Sequence, residues 1–337
     1  MSNPSTVNPV TLARIRGAMD QLGYVLNAAA RTMKTGHTNA IGLVVADIKN
    51  PFYPEIVDAL TGYFYTMGKR VIVWNSDGHH DNDALEALAQ GVIDGLVFTT
   101  IHEKSPELER AVSLGYPIVM VNRYVQGVHT DQVRSENIKG AGLVADYFLD
   151  NARASIGAIF GPGYASTAAE RERGFVEGLK RRGSELDPNM IMRGSFGYES
   201  GRRAMQTLLD GGGHPDAVFC ANDLMAFGAL DGARESGVIV PEDLWVVGYD
   251  DVEMSRWESF GLTTVRQDSQ EMARESARLL LQRIEDPNRP IEDIVFPADL
   301  IVRRSTGQTP PKPGGHDART HSRGNPSRSN TRDGRPV

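Results

Sequence analysis

From residue 41 onward, short apolar runs alternate with longer segments of helical periodicity. The runs occupy residues 41–45, 71–74, 95–98, 118–121, 156–160, 217–220 and 244–247. Their shortness and their polar flanks suit strands buried on both faces. Between the first two lies PEIVDALTGYFYTMG, where Ile56, Leu60, Phe64 and Met67 recur at helical spacing and Gly68 stands at the stop position. Such strand–helix–strand repetition predicts an α/β protein with parallel sheets covered by helices on both faces. Seven strands are too many for one small lobe. Two doubly wound lobes are expected, with a break near residues 134–138.

Upstream, residues 11–22 place Leu12, Ile15, Met19 and Leu22 on one helical face, with Gly23 as the stop. The tail after Thr306 is rich in Pro, Gly, Ser and Arg and nearly devoid of large apolar residues. It cannot offset its own ordering entropy, so residues 307–337 are expected to form a disordered basic tail.

Charge refines this picture. The net charge of −7 is unevenly spread: residues 1–40 hold four basic and one acidic residue, and residues 307–337 six and two. The body between them is strongly acidic and repels nucleic acid, so DNA contact must come through the basic ends. No run approaches the roughly 20 apolar residues of a membrane span, and the N-terminus lacks a secretory pattern. The single cysteine, Cys220, excludes an intrachain disulfide and suits a cytoplasmic protein.

Ligands of open α/β sheets bind beyond the carboxyl ends of the strands. The same residue types recur just after the apolar runs: Asn50, Phe52 and Tyr53, then Asn75, Ser76 and Asp77, then Asn122 and Arg123. In the second half come Tyr164 and Ser166, Asn222 and Asp223, and Asp250 and Asp251. Amides, carboxylates and arginines with a few aromatics match a sugar, which offers hydroxyls at its rim and C–H surface on its faces. Asn, Asp and Ser also start loops and cap helices, and about half of these residues are expected to do only that.

Enzyme signatures fail one by one. Gly161-Pro-Gly163 lacks the third glycine of a dinucleotide loop, and no P-loop lysine is present beyond it. The stretch from Asp77 to Asp83, with two adjacent histidines, lacks the glycine and closing glutamate of a calcium loop; an exposed turn capped by Asp81 or Asn82 is expected. Cys220 sits inside an apolar run, where a buried inert thiol is the ordinary outcome. Neighbouring Asp250 and Asp251 seldom converge on one atom. No catalytic residue, metal or cofactor is predicted.

The stretches LGYVLNAAARTMKTGHTNAIGLVVADIKNPFY, ERERGFVEGL, CANDLMAFGAL, VVGYDD, LTTVRQD and LIVRRST, in this order and spacing, resemble the lactose-repressor (LacI/GalR) family of regulators over about residues 7–306. The resemblance implies a periplasmic-binding-protein-like core of type I with three crossovers. Its first lobe would comprise residues 41–136 plus 268–297 and its second residues 137–267 plus 298–306. It further implies effector contacts at Phe52, Tyr53, Asn122, Arg171, Phe196, Asn222, Asp250 and Gln267. Arg171 would supply a planar donor fork, Phe196 or Phe52 a stacking face, and Asp250 and Asn222 hydroxyl anchors. Asn122 stands where many relatives carry an acidic residue, so sugar preference is not transferable.

Family members begin with a helix-turn-helix. Residues 1–26 match only its third helix, a remnant headpiece, and residues 27–40 match the hinge helix and linker. Asn27, Ala28, Ala30, Arg31, Met33 and Lys34 would meet DNA there, with Met33 wedging into the minor groove and Asn27 as N-cap. The implied function is a sugar- or metabolite-responsive repressor, a homodimer with no membrane partner. Its small-molecule effector would close the lobes and alter binding to operator DNA, provided the headpiece is complete upstream. Two alternatives stay open: a truncated sugar-binding protein of the same fold without DNA binding, and a transport-type sugar receptor.

Overall fold

The computed structural model describes residues 8–23, 32, 34–76, 81–100, 105–125, 127–212 and 214–307. It opens with α1 (Pro9–Gln21), then β1 (Ala40–Val45), α2 (Phe52–Thr66), β2 (Arg70–Asn75), α3 (Asp81–Ala89), β3 (Gly95–Phe98), α4 (Pro106–Ser113), β4 (Ile118–Val121) and β5 (Asp131–Ser135). A second series comes next: α5 (Asn137–Asp150), β6 (Ile156–Phe160), α6 (Ser166–Arg181), β7 (Ile191–Arg193), α7 (Tyr198–Asp210), β8 (Ala217–Cys220), α8 (Asp223–Glu235), β9 (Trp245–Asp250) and β10 (Thr263–Arg266). The chain then adds α9 (Ser269–Glu285), β11 (Asp293–Phe296) and β12 (Asp299–Ile301).

The strands form two six-stranded sheets, in the orders β11-β5-β4-β3-β1-β2 and β12-β10-β9-β8-β6-β7. The first is parallel throughout. The second is parallel except for β12, which runs antiparallel to β10 with Arg266 opposite Asp299. The fold is therefore two doubly wound α/β lobes. The chain passes between them three times: after β5, after β10, and between β11 and β12.

Local chemistry explains the elements. Asn50 Oδ1 accepts the Phe52 amide at 3.2 Å where α2 begins. Ile56, Leu60 and Phe64 are fully buried beneath this helix. Met67, expected on the same face, instead lies past the helix end and is 53% exposed, because Gly68 adopts φ 70° and turns the chain away. In α1, Leu12, Ile15 and Met19 are half-buried, but Leu22 falls beyond the last turn and is exposed; Gly23 has the expected positive φ. Among the described residues no helix is long and apolar enough to cross a membrane.

Of the expected hinge residues, Asn27, Ala28, Ala30, Arg31 and Met33 lie outside the described residues, as does the tail from residue 308. Lys34 is described and exposed, on a turn closed by Gly36 with φ 73°. From there the linker is tied to the first lobe by Lys69 and Arg70, which donate to Asn39 and Thr38, and above all by one carboxylate. Asp94 accepts the Thr38 amide at 2.6 Å, the Thr38 hydroxyl at 2.7 Å and the Asn39 amide at 2.9 Å, with Lys69 Nζ at 3.4 Å. Burial alone would raise this carboxyl, but the Thr38 and Asn39 donors and Lys69 outweigh it and hold it below its ordinary range.

Candidate functional site

The carboxyl ends of the two sheets face each other across a narrow cleft. Arg123, just after β4, lies 5.3 Å over the Phe196 ring, which comes after β7. Nearby, the Tyr124 amide donates to Ser166 Oγ at 3.3 Å, and at the other edge the Glu253 amide donates to Glu55 Oε1 at 2.8 Å. The residues bridging the lobes are those that succeed strands or open helices, as expected of connecting loops in open sheets.

Arg171 is the centre of the site. It projects from α6 and is 2% exposed. Its Nε donates to Asn137 Oδ1 at 2.9 Å and its Nη1 to the Ala221 carbonyl at 2.6 Å. The same Nη1 lies 3.2 Å from Asp250 Oδ1, and the guanidinium carbon sits 3.8 Å over the Tyr249 ring. A buried guanidinium is tolerable only when charge and donors are satisfied together; here a carboxylate, an amide, a carbonyl and an aromatic face do so.

Asp250 Oδ1 also accepts Gln267 Nε2 at 2.8 Å. Burial pushes the Asp250 carboxyl up to about 6, against the pull of Arg171 and Gln267. Tyr53, at the start of α2, faces the same group. Burial raises its phenol, while Arg123 and Arg171 oppose and Asp250 adds to the shift. Phe52 beside it packs edge-on at 5.7 Å and belongs to the first lobe's core.

Among the described residues, the buried side-chain atoms without a partner in this neighbourhood include two amide oxygens, Asn122 Oδ1 and Gln267 Oε1. Leaving such atoms unpaired costs about 1–3 kcal/mol each, so they are the natural points for a hydroxyl or amine to engage. Asn222 is more heavily committed. Its Oδ1 caps α8 by accepting the Met225 amide at 3.0 Å, and its Nδ2 donates to the Phe196 carbonyl at 3.0 Å.

Of the eight residues expected at the effector site, seven lie at strand ends or on the loops and helix starts that follow them, and Arg171 reaches in from α6; Phe52 and Asn222 spend most of their capacity on the scaffold. Other strand-end candidates divide. Asp223 is internal structure, accepting Val252 N, Ser255 Oγ and Thr264 Oγ1, its carboxyl raised by burial and by Asp250. Asp251 turns away from Asp250 toward Arg303 at 2.5 Å. Asn75 Oδ1 accepts the Ile48 amide, and Ser76 donates to Asp81 at the start of α3. Asp77 lies outside the described residues, and Tyr164 is exposed. Asn137 went unnoticed in the sequence because no apolar run precedes it closely. Its only signal was its place at the first crossover.

Among the described residues no group of three or more His, Cys, Asp or Glu side chains could hold a metal ion. Cys220 is fully buried, and burial pushes its thiol far up, away from thiolate chemistry.

Residues 145–306 match the periplasmic binding protein-like domain family. The transcriptional repressor PurR of Pasteurella multocida is 30% identical over 291 residues, covering 86% of this chain and 87% of that protein. The transcriptional repressor CytR of Escherichia coli K12 is 31% identical over 317 residues, 92% of each. Among solved structures, the transcriptional regulator CelR in complex with cellobiose superposes with a TM-score of 0.74 at 32% identity, covering 89% of this chain and 92% of that one. A LacI family regulator from Enterococcus faecium with bound ribose gives a TM-score of 0.71 at 26% identity, covering 81% and 100%. Twin parallel-sheet lobes, a polar cleft between them and relatives matched over nearly their whole length lead to one assignment: the chain belongs to the LacI/GalR family of ligand-responsive transcriptional regulators.

Proposed function

We propose that the cleft takes a sugar or a closely related polar metabolite, and that its occupancy sets the affinity of a homodimer for operator DNA. The observation carrying this reading is the buried Arg171–Asp250 pair beside two acceptors with nothing to accept, Asn122 Oδ1 and Gln267 Oε1. Polyols supply many donors and acceptors on a compact frame. The cellobiose and ribose bound by two structural relatives belong to that class.

Phe52, Tyr53, Asn122, Arg171, Phe196, Asn222, Asp250 and Gln267 are the proposed contacts. The site binds without turning over, as befits relatives that are regulators. A guest preferring the closed arrangement shifts the population toward it, and only by its differential affinity for the two arrangements. The linker held by Asp94 would pass that change to the hinge segment at residues 27–34 and so to DNA. Dimer formation is supported by exposed apolar residues on each lobe, Tyr65, Met67, Ile72 and Val73 on the first and Ile239 and Trp257 on the second. We place the protein in the cytoplasm, with its operator.

Calorimetric titration with cellobiose, ribose and a panel of pentoses, hexoses, sugar acids, polyols and purines tests the reading. At least one should bind, and Asp250→Asn, which keeps the side chain's shape, should weaken it by roughly tenfold or more. Arg171→Ala should abolish binding and also destabilise the fold by about 3–5 kcal/mol, because Asp250 is left buried without its partner. Unchanged binding in both variants would refute the site.

A further inference from the structure

Arg171 does not reach Asp250 unaided. Asn137 holds it, accepting from Nε at 2.9 Å, and Asn137 in turn is oriented by its own donors. Its Nδ2 donates to Glu170 Oε2 at 3.0 Å and to the Ser135 carbonyl at 3.3 Å. Glu170 Oε1 accepts the hydroxyl of Tyr124 at 3.0 Å. Tyr124 belongs to the first lobe, in the segment after β4; Glu170 and Arg171 are consecutive on α6 of the second. Consecutive helical residues point about 100° apart. Glu170 therefore faces the rim while Arg171 faces the cleft, and Asn137 at the first crossover bridges the two.

From this geometry, and resting on the proposed role of the cleft, we infer that Tyr124, Glu170 and Asn137 are positioning residues forming a relay that fixes the Arg171 guanidinium when the lobes come together. The relay runs from one lobe to the other along hydrogen bonds of ordinary length. Its single link across the cleft is the Tyr124 hydroxyl. With the lobes apart that link is broken and the Glu170 carboxylate regains water, which competes with Asn137 Nδ2 for the oxygen that helps orient its amide toward Arg171. Both carboxylate oxygens of Glu170 are used, one by each lobe, so the residue registers closure and passes it inward. Tyr124 and Glu170 need not touch the guest; they determine how ready the cleft is to receive it.

The test uses the full chain without ligand. Cys220 is the only cysteine and is fully buried, so spin labels on Lys49→Cys and Glu199→Cys, exposed positions on opposite lobes, report the separation selectively. The parent should show mostly a short distance. Tyr124→Phe and Glu170→Gln should each shift the closed-to-open ratio roughly three- to tenfold toward open. Tyr124→Phe should add little in the Glu170→Gln background. Where cellobiose or ribose binds the parent, Tyr124→Phe should raise its Kd by the factor by which it depletes the closed form. Unchanged distances in both single variants, or fully additive shifts, overturn the relay. If neither sugar binds the parent but the distances shift without additivity, the relay stands and the choice of guest fails.

Discussion

Four residues around the cleft adopt a left-handed backbone without being glycine: Asn122 (φ 71°), Phe196 (65°), Asp250 (124°) and Asp251 (57°). Short amide and carboxylate side chains visit that region with local help, whereas an aromatic residue there is an outlier. Phe196 is held by Asn222, which donates to its carbonyl, and by Gly161, where a Cβ would stand 2.6 Å from the Phe196 ring. At Asn122, Phe196 and Asp250, backbone strain of this kind, about 1–3 kcal/mol per residue, turns side chains into the cleft, whereas at Asp251 it turns the carboxylate toward Arg303. Asp250 also sets a pH dependence. Its folded pKa of about 6 lies above the unfolded value near 3.9. Between about pH 4 and pH 6 the folded chain keeps a proton that the unfolded chain has released. This contribution to stability is complete below that window and is lost as pH rises through the folded pKa. A guest donating hydrogen bonds to the carboxylate behaves oppositely. Titration of the bound sugar at about pH 5 and about pH 7.5 should show weaker binding at the lower value, and Asp250→Asn should remove the difference.

At the scale of elements, glycine sets the closeness of helix pairs. A Cβ on Gly228 of α8 would collide with the Tyr198 carbonyl, and one on Gly201 of α7 with the Met225 carbonyl; Gly174 of α6 stands likewise against Ile138. Gly228→Ala must spread two backbones, and thermal unfolding should show a loss of about 1–3 kcal/mol or more. Gly62, on the open side of α2 with nothing within 4 Å, should behave oppositely: Gly62→Ala should stabilise by up to about 1 kcal/mol. The linker makes a separate prediction. Asp94→Ala removes three of the bonds holding Thr38 and Asn39 and leaves those from Lys69 and Arg70, so tryptic cleavage after Lys34 should quicken several-fold. Apolar runs revealed the central strands because those strands are buried on both faces. β5, reading DQVRS, was hidden. Its Asp131 is fully buried, yet Arg283 in the last turn of α9 and Arg289 just beyond that helix neutralise it at 3.0–3.1 Å, a partnership no local pattern announces. β7, β11 and β12 lie at sheet edges, where burial is partial and the apolar signal correspondingly weak.

At the scale of the molecule, strand ends were legible as a site because loop geometry in open sheets forces residues such as Tyr53, Asn122 and Asp250 toward one another. Arg171 and Phe196 were not, since a helix-borne arginine and a loop phenylalanine carry no such positional rule; resemblance alone pointed to them. Glu170 and Tyr124 were silent for the same reason, their roles existing only once the lobes meet. The threading of the chain has a further consequence. All six strands of the second sheet lie between residues 156 and 301, interrupted by α9 and β11, which serve the first sheet. The two ends of that detour are neighbours, because Arg266 faces Asp299 across an antiparallel pair. Replacing residues 267–298 with Asn-Gly would join β10 to β12 as a tight hairpin. A gene encoding residues 137–307 with that splice should therefore yield a free-standing half-protein with cooperative melting and dispersed amide resonances, whereas the same piece with the detour left in should aggregate through the orphaned apolar face of α9.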